Sequence, residues 1–277
     1  MPPAEAEISW ETRGDATAAT PLLFVPPLGR GRRSWEPQVA VLEGAHRCVL
    51  FDPRGIGRSK DVACDSYSAG TIAEDARDVL DRSGVNRAHV VGWSLGAAAA
   101  TLLALHHPER VASLTLLTPW TRIDPHLALA FGIMRDLVTH ASAESAEIAT
   151  LWLILSREAV NAAGEQLLIE ARSDVTNPGY PTSGTIRDYL DSALAFDVSD
   201  RLRALSMPTL VIGGAEDRLV DVAHARATAA AIPGACLHVL EGTGATHALP
   251  VERADEVNAL IRTFVESHEA SDAVPTT

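Results

Sequence analysis

Short runs of apolar, branched residues alternate with longer helical stretches along most of this 277-residue chain. Seven runs are candidate strands: Ile8–Thr12, Leu22–Val25, Cys48–Phe51, His89–Gly92, Val111–Leu117, Thr209–Ile212 and Leu237–Leu240. Several of them are apolar at every position, which is typical of strands that are buried on both faces. Between them, apolar residues recur at spacings of three and four, as on the buried face of a helix. The alternation therefore predicts an α/β fold with a mostly parallel central sheet flanked by helices.

The alternation stops between about residue 122 and residue 200, where helical periodicity replaces the strand signals. Apolar side chains recur there at helical spacing, as at Leu127, Phe131 and Met134. We therefore predict an all-helical cap that interrupts one α/β core. The predicted segments are a first core segment (1–121), the cap (122–200), a second core segment (201–268) and a disordered tail (269–277).

The chain carries 36 acidic and 23 basic residues, which gives a formal net charge of −13. This balance argues against nucleic acids and anionic membranes as partners, because both are polyanions. The first seven residues have neither the basic start nor the apolar run of a signal peptide, and no apolar stretch reaches the about twenty residues of a membrane helix. We expect a cytoplasmic protein whose partner is a small-molecule substrate, and we leave a homo-oligomer open.

Cofactor motifs are also missing from the sequence. The three cysteines have no zinc-type spacing, and neither a P-loop nor a metalloprotease helix motif occurs. We therefore expect no metal and no organic cofactor.

The pentapeptide Gly92-Trp93-Ser94-Leu95-Gly96 stands between a candidate strand and an alanine-rich helix. In this strand–turn–helix setting a G-x-S-x-G motif holds its serine on a sharp turn with the hydroxyl exposed. The start of the helix adds a positive dipole end and free N–H groups. We therefore predict Ser94 as a nucleophile. The alternative interpretation is a serine that only caps the helix.

A serine hydroxyl becomes a good nucleophile when a neighbouring base accepts its proton. His247 lies in a glycine-rich loop after the last candidate strand, at the carboxyl edge of the sheet where ligands bind in open α/β folds. The acid that orients such a base should come from another strand end, between the serine and the histidine in chain order. Asp217 fits this role. Glu216 and Asp221 are its competitors.

A tetrahedral intermediate also requires N–H donors that are aimed at its oxyanion. The residue after the nucleophile, Leu95, should supply one backbone N–H. The second donor should lie in the loop after the second candidate strand, which begins Pro26-Pro27-Leu28. Because proline has no N–H, Leu28 is the first residue there that can donate. The alternative is a rigid turn without a catalytic role.

Three tryptophans are candidates for the wall of a substrate pocket. Trp93 and Trp120 follow candidate strands at the predicted catalytic edge, and Trp152 lies in a stretch, residues 148–155, that is apolar on nearly every face. A helix of that kind should be covered on both sides. We expect a mostly apolar, lidded pocket, although each tryptophan has ordinary core packing as its alternative.

A basic cluster could instead attract an anionic substrate, or it could form a solvated turn. Its members are Arg30, Arg32 and Arg33.

The order serine, aspartate, histidine and the surrounding motifs resemble the α/β-hydrolase superfamily over essentially the whole chain. The supporting segments are Asp52-Pro53-Arg54-Gly55-Ile56-Gly57-Arg58-Ser59, which is similar to the family turn D-x-R-G-x-G-x-S, His107–Val111 and His247–Glu252. A weaker resemblance, to enol-lactonases and aminoacrylate hydrolases, is carried by Leu117-Thr118-Pro119-Trp120 and the apolar helix that follows it. Family members usually have His-Gly where this chain has Pro26-Pro27, so we expect a stiffer oxyanion loop here.

The resemblance implies an α/β-hydrolase fold whose helical cap is inserted before the strand that precedes the acid. It also implies a serine hydrolase that needs no cofactor. The residues favour cleavage of a small or medium, mostly apolar ester, lactone or thioester through an acyl-enzyme. Two alternatives remain. One is a C–C hydrolase, lyase or cyclase on the same fold, and the other is a catalytically silent ligand-binding protein.

Overall fold

The computed structural model describes residues 7–15, 19–62 and 64–272 of the chain. Its strands are β1 (Trp10–Arg13), β2 (Leu22–Val25), β3 (Cys48–Phe51), β4 (Ala88–Trp93), β5 (Val111–Leu117), β6 (Thr209–Gly214) and β7 (Cys236–Leu240). Its α-helices are α1 (Glu36–Leu42), α2 (Ala69–Arg82), α3 (Leu95–His106), α4 (Pro125–His140), α5 (Ala143–Ile154), α6 (Arg157–Ala163), α7 (Glu165–Thr176), α8 (Ser183–Leu194), α9 (Val222–Ala231), α10 (Leu249–Glu252) and α11 (Ala254–Asp272). Each candidate strand is present, and its ends differ from the prediction by at most two residues.

The strands form one sheet in the order β1-β3-β2-β4-β5-β6-β7. Strand β1 runs antiparallel to β3, and every other neighbouring pair is parallel. The chain moves from β2 outward to β3 and then returns past β2 to β4, so the strand order reverses between β2 and β4. In open α/β sheets, the carboxyl ends of the strands on either side of such a switch point border the ligand crevice.

Helices cover both faces of the sheet, and each face has its own apolar core. Leu22 and Phe24 of β2 pack in a core that includes side chains of α1 and α11. The alternating residues Leu23 and Val25 pack in the other core, with side chains of α2 and α3. The strand therefore has no face in water, which explains why its sequence is apolar at every position.

The expected helical cap is present as helices α4 to α8, between β5 and β6. The two ends of this insertion meet, because Arg122 and Asp197 form an antiparallel bridge and the N–H of Val198 donates to the carbonyl of Thr121 at 2.9 Å. The cap thus leaves and re-enters the core at one place. The division into separate domains at residues 121/122 and 200/201 stays a prediction.

The last helix differs from the expected disordered tail. Helix α11 continues to Asp272 and so occupies the first part of the segment 269–277. The Glu269 carboxylate accepts a hydrogen bond from the N–H of Thr20 at 2.8 Å, which fastens the end of the helix beside β2. Residues 273–277 lie outside the described part of the chain. No described helix, this longest one included, is both long and apolar enough to cross a membrane.

Candidate active site

Ser94 occupies the turn between β4 and α3, at the carboxyl edge of the sheet. Its backbone has a φ of +56° and a ψ of −121°. Residues other than glycine rarely adopt such a backbone conformation, because it costs about 1–3 kcal/mol. Backbone strain of this kind is concentrated at functional sites. The serine side chain makes no capping hydrogen bond to the helix. The geometry therefore fits the strained turn of the motif and not the helix-capping alternative.

The turn depends on the two glycines of the motif. A Cβ at Gly96 would lie 2.2 Å from the carbonyl oxygen of Val25 and 2.5 Å from that of Pro26. A Cβ at Gly92 would lie 2.4 Å from the carbonyl oxygen of Gly96. All three distances are shorter than a Cβ and an oxygen atom can approach. Since neither glycine has a Cβ, α3 lies directly against the sheet, and the loop after β2 lies next to Ser94.

His247 lies in the loop between β7 and α10, where 3% of the residue is exposed. Its Nε2 is 2.9 Å from the Oγ of Ser94. The indole N–H of Trp93, the residue before the serine, donates to the backbone carbonyl of His247 at 2.9 Å. The nucleophile turn and the histidine loop are therefore tied together by a second hydrogen bond besides the one between their side chains.

Asp217 follows β6 and meets the other side of the imidazole. Its Oδ2 is 2.8 Å from Nδ1 of His247. Its Oδ1 accepts hydrogen bonds from the backbone N–H groups of Leu219 and Val220, at 2.9 and 2.8 Å. Both carboxylate oxygens are thus occupied, which fixes the direction of the carboxylate.

Neither of the two competing carboxylates bonds to His247 in the described part of the chain. Asp221 accepts a hydrogen bond from the N–H of Ala223 at 2.8 Å and so caps helix α9. Glu216 is exposed, and its backbone N–H donates to the carbonyl of Ala245. Within the described residues, Asp217 is the carboxylate that reaches His247.

This chain of hydrogen bonds has a defined chemical capacity. A carboxylate at Nδ1 favours the tautomer in which Nδ1 carries the proton, because a carboxylate can only accept. The lone pair of Nε2 then faces the Ser94 hydroxyl and can take its proton. The arrangement is therefore suited to activating a serine oxygen for attack on a carbonyl carbon.

The residues predicted as oxyanion donors lie beside the serine. Leu28 and Leu95 line the same cavity as Ser94 and His247. The loop that carries Leu28 turns back on itself, with the N–H of Arg30 donating to the carbonyl of Pro27 at 3.2 Å. The donor role of the two leucine N–H groups stays a prediction.

The cavity above Ser94 has a volume of about 90 Å³. Cap helices α4 and α8 contribute apolar side chains to its wall, including Phe131, Met134 and Leu190. Trp93 and Trp120 also line it, and their contact with a substrate stays a prediction. Because a cavity of about 150 Å³ can hold benzene, this one has room for a group of only a few heavy atoms.

Trp152 does not line this cavity, and the prediction that it would is wrong. It is 60% exposed, and the guanidinium of Arg218 lies 5.0 Å from the centre of its ring. Arg218 also donates to the carbonyl of Leu155 at 2.6 Å. The helix over residues 148–155 is therefore not covered on both sides. Its outer face is open to solvent, and Arg218, next to Asp217, ties the end of this helix to the core.

A polar cluster on the cavity wall, which contains Arg30, was not predicted from the sequence. Arg30 pairs with Glu147 of α5, and the hydroxyl of Tyr180 donates to the same carboxylate at 2.9 Å. Glu147 is buried, and all three residues line the cavity. Only the position of Arg30, two residues after Leu28, could have drawn attention to it. Its partners lie far along the chain.

Arg32 also differs from the expectation of a solvated basic turn. It is 7% exposed and bridges Asp52 at 2.9 Å and Glu11 at 3.0 Å. A second N–H bond reaches Asp52 from the Arg32 backbone. The residue is therefore a structural tie between the loops after β2 and β3.

Comparison with known proteins places these features in a family. A model described as the alpha/beta hydrolase fold matches residues 20–246. A relative from Azorhizobium caulinodans that bears the name "Putative carbamate hydrolase RutD" is 31% identical over 261 residues, which cover 94% of this chain and 95% of the relative.

Solved structures give the same result. A structure titled as an N-acyl homoserine lactone degrading enzyme, Est816, is 28% identical to this chain and superposes on it with a TM-score of 0.77. The match covers 93% of this chain and 96% of the Est816 chain. The enol-lactonase of Burkholderia xenovorans LB400 superposes with a TM-score of 0.81, and the match covers 94% of this chain and 96% of the enol-lactonase chain. Because the two sequences are only 22% identical, this likeness shows the fold alone. The chain belongs to the α/β-hydrolase family, and it is a hydrolase by that membership.

Proposed function

We propose that this protein is a serine hydrolase that transfers an acyl group from a small ester or lactone to water. The observation that carries the proposal is the hydrogen-bond chain from Ser94 through His247 to Asp217, with distances of 2.9 and 2.8 Å. The strained backbone of Ser94 supports it, because a strained conformation is retained where function requires it.

The proposed reaction has two steps. In the first, His247 accepts the Ser94 proton while the serine oxygen bonds to the substrate carbonyl carbon. The tetrahedral intermediate then expels the leaving group, which takes the proton from His247. In the second step, water attacks the acyl-enzyme, His247 accepts a proton from that water, and the serine recovers its proton as the acid departs. Leu28 and Leu95 are the proposed N–H donors to the oxyanion in both steps.

The cavity favours small acyl groups. Its wall is mostly apolar, and its volume of about 90 Å³ excludes long chains in this conformation. The structural relative whose title names lactone degradation supports a cyclic ester as one substrate class. A thioester reacts by the same steps and remains part of the proposal.

A carbamate is the second candidate substrate, because the 31% identical relative carries that name. The chemistry differs only in the group carried on the serine, which would be a carbamoyl instead of an acyl group. Parallel assays with aryl acetates, small lactones and aryl carbamates separate the two candidates, since hydrolysis of one class at a much higher kcat/KM names the substrate.

An active-site label tests the proposal directly. A fluorophosphonate should modify the wild-type protein at one residue, which peptide mass spectrometry should identify as Ser94. Hydrolysis in ¹⁸O-labelled water should then place one labelled oxygen in the released acid. An unlabelled serine would favour the silent ligand-binding alternative. Label in a product of carbon–carbon cleavage would favour a C–C hydrolase.

A further inference from the structure

A polar groove lies beside the catalytic cavity at the same edge of the sheet. It has a volume of about 580 Å³ and is bordered by the loops after β2 and β3 and by the loop between α7 and α8. Gly29, Arg30 and Tyr180 line both the groove and the cavity, so the two depressions adjoin each other at these residues. We call this depression the arginine groove. Its charged lining residues are Glu11, Arg30, Arg32, Arg33, Glu36, Asp52, Arg58, Lys60 and Asp174.

The acidic members of the arginine groove are all engaged in ion pairs. The pairs are Asp52 with Arg32 at 2.9 Å, Glu11 with Arg32 at 3.0 Å, Glu36 with Arg13 at 2.8 Å and Asp174 with Arg30 at 3.2 Å. A carboxylate that already has a guanidinium partner repels a further anion less than a free one does. These acids are only partly neutralised, because Arg32 is shared by two of them, but the groove lining holds five cations against four carboxylates.

Three cations of the groove are not neutralised in this way. Arg33, Arg58 and Lys60 are exposed, and their side chains have no ion pair or hydrogen bond with any part of the chain that the structure describes. The chain as a whole carries a net charge of −13. Unpaired cations around one concave surface of such an acidic protein form a local field that attracts anions.

The catalytic cavity, by contrast, is not suited to binding an anion. Its one buried carboxylate, Glu147, faces Arg30 and the hydroxyl of Tyr180. Burial raises the pKa of Tyr180, so this hydroxyl keeps its proton and donates it in the hydrogen bond. Burial opposes the charge of Arg30, but the Glu147 and Asp174 carboxylates outweigh it and hold the pKa of Arg30 above its usual value. The guanidinium is thus paired with two carboxylates, and the described residues that line the cavity offer no free cation to a substrate anion.

We propose that the arginine groove binds a phosphate or carboxylate on the leaving portion of the substrate, while the acyl portion occupies the cavity beside Ser94. The small apolar cavity suits the acyl portion, and the larger polar groove suits a charged tail. The loop after β2 supplies Arg33, and the loop after β3 supplies Arg58 and Lys60, so cations from two separate loops border the groove. This inference rests on the proposed acyl transfer and narrows its substrates to esters or thioesters with an anionic tail.

Matched acyl donors test this preference. Three aryl acetates that differ only in the tail of the leaving group, which is neutral, a carboxylate or a phosphate, should be compared at low ionic strength. We expect kcat/KM to be about tenfold or more higher with an anionic tail, and we expect added salt to reduce the advantage. The relative values for the two anionic tails identify which anion the groove prefers. Equal kcat/KM for all three would overturn the proposal.

The triple variant Arg33→Ala, Arg58→Ala, Lys60→Ala locates the effect. These side chains are exposed and unpaired, so the variant should fold, as a cooperative thermal transition would show. The ratio of kcat/KM for anionic and neutral tails should fall to near one. Arg226→Ala removes an exposed cation on α9, outside the groove, and should leave that ratio as in the wild type. A triple variant that keeps the wild-type ratio contradicts the proposal.

A binding measurement separates this inference from the proposed function. Calorimetry with the Ser94→Ala protein and the phosphate-tailed ester should detect binding that the added triple substitution weakens about tenfold or more. If no ester is hydrolysed but this binding is found, the acyl-transfer proposal is wrong and the proposal that the groove binds an anion is supported. If neutral esters are hydrolysed and the anion does not bind, the groove proposal fails and the acyl transfer stands.

Discussion

The core and the cap meet across the catalytic cavity, and they contribute to it in different ways. On the core side, each polar group of Ser94, His247 and Asp217 that points into the site has a partner, and backbone N–H groups fix the carboxylate. On the cap side, the wall is mostly apolar, as at Phe131 and Leu190.

The difference follows from what holds each side in place. The three core residues lie in the turns and loops that follow β4, β6 and β7, strands whose positions are set by the hydrogen bonds of the sheet. The cap side chains are set by the packing of helices, which tolerates changes of size more readily. We expect the core to determine whether a bond is cleaved and the cap to determine which substrate is cleaved. Four predictions test that division, from the largest expected effect to the smallest.

Removal of the nucleophile should have the largest effect. Ser94→Ala should lower kcat by about 10⁴-fold or more, because the remaining residues cannot form an acyl-enzyme. Ser173→Ala changes an exposed serine of the cap and should leave kcat unchanged. Steady-state kinetics with an aryl acetate measures both. Retention of more than about a tenth of the activity by Ser94→Ala would refute the nucleophile assignment.

Replacement of the orienting acid should be nearly as severe. Asp217→Asn should lower kcat by about 10³-fold or more, since an amide N–H at Nδ1 favours the wrong tautomer of His247. The matched change Asp221→Asn should alter kcat less than about twofold, because asparagine is also a good helix cap. The same ester assay compares the two variants. The reverse order of effects would transfer the role to Asp221.

A change at Trp120, which packs against Phe131 of the cap, should alter selectivity more than chemistry. Trp120→Phe enlarges the cavity and removes an indole N–H that has no partner among the described residues. We expect kcat/KM for acetate esters to fall about tenfold and the preferred acyl chain to lengthen by about one or two methylene groups. Trp152→Phe, on the exposed face of the cap, should leave the chain-length profile of kcat/KM as it is. Equal profiles for the two variants would show that Trp120 does not limit acyl size.

The cap cluster should influence stability more than catalysis. Glu147→Gln breaks a buried ion pair with Arg30 and should lower the free energy of unfolding by about 1–3 kcal/mol. Glu144→Gln, which breaks the more exposed pair with Arg172, should cost less than about 1 kcal/mol. Urea unfolding measures both. Equal losses would mean that burial of Glu147 adds nothing to its pairing.

Local patterns predicted the elements that local interactions determine. The seven strands were visible because strands buried on both faces are apolar throughout. The turn at Ser94 was visible because the close contacts at Gly92 and Gly96 require glycine there. The loop of His247 was visible because the glycines around it mark a turn at the carboxyl edge of the sheet.

Contacts between distant residues could not be predicted in the same way. Trp152 lies on an apolar stretch, yet its ring is exposed beneath Arg218. Arg32 was expected either to attract an anionic substrate or to lie in a solvated turn, and it is buried against Asp52. In each case the partner lies more than about fifteen residues away in the chain, beyond the range of any helical or strand period.

The sequence by itself thus determined the fold, the order of the three candidate site residues and the strained turn of Ser94, since each leaves a periodic or short-range pattern. Only the tertiary structure decided which aspartate meets His247 and which cap side chains reach the cavity. It alone also revealed that Arg30 pairs with Glu147, 117 residues away. The physical reason is that helix packing brings these groups together through apolar contacts, and many sequences can provide such contacts without a distinctive pattern.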